Sequence, residues 1–162
     1  MTAATLRSDD GLALEAAIDE PGRPPVAAVV VCHPHPRMGG TMDAPLLLAL
    51  RDALVARSWA VLRFNFRGVG ASEGEASDGI AEVADARGAL AEARRRWPDA
   101  PLALAGWSFG AAVAVRAEAG DHDHHEQGGA GEEHEPRAGM VAHDARHLGR
   151  RRLGQERGHD RR

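Results

Sequence analysis

Apolar residues recur with readable periods along this chain as far as Val115, and with none beyond Asp121. Leu12, Leu14, Ala16 and Ile18 alternate, and Ser8-Asp-Asp-Gly11 before them carries the Asp-Gly pair of a tight turn. With Thr5-Leu-Arg ahead of the turn, this predicts an antiparallel hairpin. Val26 to Cys32 is continuously apolar and rich in β-branched residues, the pattern of a strand covered on both faces. A helix is predicted next, capped by Asp43, with Pro45 in its first turn and Leu46, Leu47, Leu50 and Leu54 on one face. Ala60 to Phe66 reads as the following strand. Ser77 or Asp78 starts a long helix with Ile80, Val83, Leu90 and Trp97 inward, closing on Arg94-Arg-Arg96 before Pro98. Leu102 to Ala105, behind Pro101, is a short buried strand, and the Ala- and Val-rich run to Val115 continues as a helix.

Strands alternating with helices predict an α/β fold with a mostly parallel sheet. In such sheets the loops after the carboxyl ends of the strands share one edge, where ligands bind. Three loops of unusual composition follow strand ends, after Cys32, Phe66 and Ala105, and are expected to meet there.

The third of these loops carries chemistry. Gly106-Trp107-Ser108-Phe109-Gly110 matches G-x-S-x-G, and strand, sharp turn and helix are the context of a nucleophile elbow. The elbow glycines, Gly106 and Gly110, leave room where a side chain would collide with the neighbouring strand and helix. Ser108 is thereby exposed at a helix N-terminus, where partial positive charge favours a developing anion. The alternative is an ordinary turn with a structural serine; the matching flanks favour the nucleophile. Acyl transfer also needs an oxyanion hole, and the Phe109 N–H is one expected donor. The second comes from the loop after the first parallel strand, which reads His33-Pro34-His35-Pro36. Pro34 and Pro36 have no N–H, so His35 is the only donor between residues 34 and 36. The His33 side chain is read as structural. Gly68-Val-Gly-Ala-Ser-Glu-Gly74 is not a dinucleotide fingerprint, because Glu73 stands where the third glycine is required. Packing of a tight turn beside the pocket accounts for it better.

Composition narrows the classes. The net charge of −4 gives no reason to expect nucleic acid, the N-terminus shows no signal peptide, and no apolar run could span a membrane. A single cysteine, Cys32, excludes an internal disulfide and fits a cytoplasmic protein. All 20 basic residues other than histidine are arginine, which points to a GC-rich genome.

Together, Val31-Cys-His-Pro-His-Pro, Gly39-Gly-Thr-Met, Arg63-Phe-Asn-Phe-Arg-Gly-Val-Gly-Ala-Ser-Glu-Gly and Gly106-Trp-Ser-Phe-Gly resemble a small bacterial α/β-hydrolase, dienelactone-hydrolase-related and serine-aminopeptidase-like. The resemblance covers roughly residues 5 to 118. It implies a carboxylesterase-like enzyme that hydrolyses small esters, lactones or amides through an acyl-enzyme. No metal or organic cofactor is implied, and the expected partner is a small-molecule substrate.

Such a triad runs Ser, then Asp or Glu, then His along the chain. The strands that should carry the last two are missing from the reading. Residues 1–120 are therefore expected to form a partial α/β-hydrolase domain, and 121–162 a low-complexity, disordered tail. The tail holds seven of the nine histidines. Asp121-His-Asp-His-His125 could bind a metal, or His134, His143 or His159 could fold back as the base. A third reading fits better: apart from Met140, every residue from 121 on can be encoded by a codon beginning with G or C. In a GC-rich gene a slipped frame produces that restriction automatically. The chain as written is then a truncated or frame-shifted hydrolase, inactive or nearly so. Its last strand would present Leu102 and Leu104 on an open sheet edge prone to non-specific association.

Overall fold

The computed structural model describes residues 1–119 and 140–144. The elements are β1 (Thr2–Arg7), β2 (Ala13–Asp19), β3 (Ala27–Cys32), α1 (Pro45–Val55), β4 (Trp59–Phe64), α2 (Glu82–Arg96), β5 (Leu102–Trp107), α3 (Phe109–Ala119) and β6 (Met140–Asp144). They form one sheet in the order β1-β2-β4-β3-β5-β6. β3, β4 and β5 are parallel, β2 is antiparallel to both β1 and β4, and β6 is antiparallel to β5. Four of the first five strands thus point one way, the mostly parallel α/β-hydrolase-type sheet expected.

The pleat explains how one apolar run feeds two cores. Along β3, Ala28, Val30 and Cys32 join Leu14, Ile18, Leu62, Phe64, Leu90, Leu104 and Val113 under α2 and α3. Val29 and Val31 face the other way, onto Leu47, Val61 and Ala105, with Leu50 and Leu54 of α1 packed against them. All six β3 residues are buried, as a strand covered on both faces requires.

Local expectations shift where distant charges intervene. Asp43 is not the cap of α1; Ala44 holds that place without a side-chain bond. The Asp43 carboxylate instead accepts from the fully buried Arg63 at 2.6 Å, and Asp19 accepts from the same guanidinium at 3.1 Å. Leu46 and Ile80 are exposed rather than inward. Ile80 lies outside the helix, because α2 starts later than Ser77. The buried Glu82 carboxylate accepts from the Ser77 N–H, the Ser77 hydroxyl and the Gly79 N–H, which keeps 77–80 as a loop. Burial works to raise the Glu82 carboxyl, but these bonds outweigh it and hold it below its ordinary value.

The β5 edge also differs from expectation. Met140–Asp144 pairs along Ala103–Trp107, so this edge is occupied by the same chain, and a segment read as lacking any strand period is a strand. Leu102 and Leu104 are buried, because any strand turns its side chains to the sheet faces and only its peptide groups toward its neighbours or an open edge. The rest of the tail, including Asp121–His125, His134 and His159, lies outside the described residues.

Candidate active site

Ser108 joins β5 to α3 with a backbone φ of +53°, a left-handed conformation that costs a non-glycine residue about 1–2 kcal/mol. The glycines on either side show what enforces it. A Cβ on Gly106 would lie 2.6 Å from the Ala111 nitrogen, and one on Gly110 would lie 2.6 Å from the Cys32 carbonyl carbon. The strand therefore meets the helix start, and the helix start meets β3, at backbone contact distance. The Ser108 carbonyl accepts from the N–H groups of Ala111 and Ala112 at 2.9 and 3.1 Å, beginning the helix. Phe109 then belongs to the first turn, whose N–H groups have no intrahelical partner. Ser108 itself is exposed.

The loop after β3 closes tightly around His35. Its carbonyl accepts from the N–H groups of Met38 and Gly40, both at 3.0 Å. Gly39 adopts φ +78°, and a Cβ on Gly40 would press into the Pro34 carbonyl group. Among the described residues the His35 N–H has no acceptor. The His35 ring lies 4.6 Å from the Phe109 ring, so the loop and the elbow expected to form the oxyanion hole are in contact. The Nδ1 of His35 accepts from the Arg37 N–H at 3.2 Å, and Nε2 stands 3.9 Å from Asp78.

His33 is wholly buried, as its structural reading expected. Its Nε2 accepts from the Phe66 N–H at 3.0 Å, so Nδ1 carries the proton and donates to the Pro34 carbonyl at 2.6 Å. Burial brings the imidazole down from 6.5 to about 4, although the Pro34 carbonyl pulls the other way. The sign follows directly. The unfolded chain takes up a proton near pH 6.5 and the folded chain only near 4. The stability held above pH 6.5 is therefore lost as the pH falls toward 4, by about 3 kcal/mol in all. Urea unfolding midpoints at pH 7 and 4.5 check this. His33→Asn is expected to show a smaller drop than the parent, and an equal drop would refute it.

The glycine-rich loop after β4 is filled by the protein's own groups. The Glu15 carboxylate accepts from Asn65 Nδ2 and the Ala71 N–H at 2.8 and 2.9 Å, and a Cβ on Gly70 would strike both Glu15 and Asn65. Asn65 Oδ1 accepts from the Met42 N–H at 2.8 Å, tying this loop to the one before α1. Arg67 donates to the buried Asp85 at 2.7 Å and to Asp10 at 2.9 Å. Burial pushes the Asp85 carboxyl up, against the pull of Arg67. Sequence reasoning missed this polar frame. Its one local signal was Arg63, a charge inside the apolar run of β4; Asp85 lies on the face of α2 opposite the stripe of Val83, Leu90 and Trp97 and gave none.

Among the described residues neither a histidine nor a carboxylate hydrogen-bonds to the Ser108 hydroxyl. The structure describes two histidine side chains, and both rings are engaged as above. His143 stands opposite Leu104 in the register, four residues before Ser108, or about 13 Å down the strand from the site edge. Among the described residues no three His, Cys, Asp or Glu side chains gather as a metal site, and no helix is long and apolar enough to cross a membrane.

Solved relatives share this fold. An α/β serine hydrolase homologue from Coxiella burnetii is 34% identical, with a TM-score of 0.66, over 71% of this chain and 55% of its own. A lidless α/β serine hydrolase from Xanthomonas campestris is 37% identical, with a TM-score of 0.67, over 74% and 56%. An uncharacterized protein of Rickettsia prowazekii is 39% identical over 57% of this chain and 40% of its own. The chain thus spans little more than half the length of these solved relatives. Residues 23–130 match the family serine aminopeptidase, S33, a stretch that includes the His35 loop and the Ser108 elbow, and the chain belongs to that family of α/β serine hydrolases.

Proposed function

We propose that Ser108 is the nucleophile of an esterase-like hydrolase acting on a small ester, lactone or amide through an acyl-enzyme. The observation that carries this is the elbow: a strained, exposed serine between two glycines whose missing side chains let three backbone segments meet. In the reaction Oγ bonds to the substrate carbonyl carbon, and its proton passes to a general base. The carbonyl electron pair moves to oxygen, facing the N–H groups of Phe109 and His35. Collapse expels the alcohol or amine with that proton, and water repeats the sequence on the acyl-enzyme. Each oxyanion donor of this kind is worth about 10²–10³ in rate. The likeness to a relative described as lidless supports an open site for a small substrate. A fluorophosphonate probe tests the reading. Slow labelling at Ser108, as befits a serine without a positioned base, that vanishes in Ser108→Ala is expected; equal labelling of both proteins would refute it.

We further propose that the chain leaves its family's reading frame near Glu118 to Asp121, and that the acid and base of the triad belong to the other frame. The solved relatives align with 71–74% of this chain, comparable with residues 1–119, and the restricted residue set starts where that length ends. The gene is the test. The frame whose third positions supply the first bases of codons 121–162 is expected to encode apolar strands alternating with helices. A loop bearing Asp or Glu should be followed by one bearing His. Early stop codons in both alternative frames would end the proposal.

A further inference from the structure

We infer that His33 is a positioning residue for the oxyanion site: its buried ring sets the direction of the Pro34–His35 peptide, and so of the His35 N–H. The inference deepens the proposed function and rests on the reading of that N–H as an oxyanion donor. The Pro34 carbonyl and the His35 N–H are two ends of one peptide group. The chain has no cis peptide among its described residues, so the two ends point in opposite directions. Whatever holds the Pro34 oxygen therefore aims the His35 N–H.

His33 holds that oxygen at 2.6 Å through Nδ1. The ring cannot turn to release it, because Nε2 is anchored to the Phe66 N–H just past the end of β4, and the ring packs edge-on against Phe66 at 4.7 Å. On its other side the Pro34 carbonyl is closed in by Gly40, where any Cβ would collide with it. The next carbonyl, that of His35, is fixed by Met38 and Gly40. With both flanking carbonyls held, the N–H of His35, whose ring packs on that of Phe109, keeps one direction. Without the Nδ1 bond the peptide is free to rotate and present an oxygen, rather than a proton, to a developing oxyanion. That change opposes the transition state instead of merely ceasing to help it.

Two variants separate positioning from general support of the fold. In His33→Asn the amide nitrogen stands near Nδ1 and can still donate to Pro34, while the Phe66 bond is lost. In His33→Gln the amide oxygen stands near Nε2 and can accept from Phe66, while the Pro34 bond is lost. Crystal structures of both 162-residue variants and their fluorophosphonate labelling rates at Ser108 are the readout. The Pro34–His35 peptide is expected to keep its direction in His33→Asn and to rotate in His33→Gln, which should label about 10²–10³-fold more slowly than the Asn variant. An unrotated peptide in both variants, or equal labelling rates, overturns the inference. If the parent does not label, the missing base accounts for it, and the peptide direction alone decides the role of His33. If neither variant folds, ¹⁵N spectra of the parent decide it: a neutral ring protonated on Nδ1 is expected, and protonation on Nε2 overturns it.

Discussion

Gly110→Ala is expected to destabilise the protein by at least about 3 kcal/mol and to abolish labelling of Ser108. The added methyl group would stand 2.6 Å from the Cys32 carbonyl carbon and press on the oxygens of Cys32 and His33. Those atoms end β3, which is paired on both sides, with β4 and β5, and so has no free edge toward which to yield. The helix start must move instead, taking Ser108 and the Phe109 N–H with it. Gly39→Ala is the contrast, since a Cβ there meets nothing within 4 Å and only the φ of +78° is penalised. It should cost about 1–2 kcal/mol. Ser108→Gly should move the other way, gaining about 1 kcal/mol as the left-handed strain is relieved, while losing the nucleophile. Urea unfolding of the three variants gives the order; a Gly110→Ala midpoint equal to the parent's would show that the contact is not rigid.

How much of this was legible depended on whether the cause was local. The alternation from Leu12 to Ile18 and the unbroken run into Cys32 are local patterns, and both became the strands they implied. The Ser108 elbow was legible for the same reason, since its strand, turn and helix are contiguous. Asp43 was misread because its partner is remote. A carboxylate before a proline-started helix is a good cap, but Arg63 lies buried on β4 and a charge there must be neutralised. Nothing within a window of neighbours says that Asp43 and Asp19 supply the answer. Ile80 failed similarly: Glu82 turns back on Ser77 and Gly79, and the helical stripe is interrupted before it begins.

His33 and His35 show the same division inside the site. Two prolines single out the His35 N–H as the donor proposed for the loop, by elimination, a covalent argument that needs no fold. The work of His33 was invisible, because its second partner is the N–H of Phe66, 33 residues away and just past the end of the neighbouring strand. Only the parallel register of β3 with β4 brings the two together.

Ester hydrolysis by the 162-residue chain is expected to run near the uncatalysed rate. A serine hydroxyl needs a base within hydrogen-bond reach, and no described histidine can be one. Both nitrogens of His33 are engaged in the core, and Nδ1 of His35 accepts from Arg37, which leaves the ring proton on Nε2 near Asp78. The carboxylates of Glu82 and Asp85 are spent on Ser77, Gly79 and Arg67. The register of β6 keeps His143 far down the strand from Ser108. Loss of a triad base costs such enzymes about 10⁴–10⁶-fold, leaving roughly 10³–10⁴ over water from the oxyanion hole and binding. Assay of purified, sequence-verified protein on a short activated ester should therefore show a small Ser108-dependent excess over buffer. Ordinary esterase rates that disappear in His134→Ala or His159→Ala would overturn the expectation. A segment with no readable period would then be supplying the base, and the tail would have to be a working part of the enzyme rather than the product of a slipped frame.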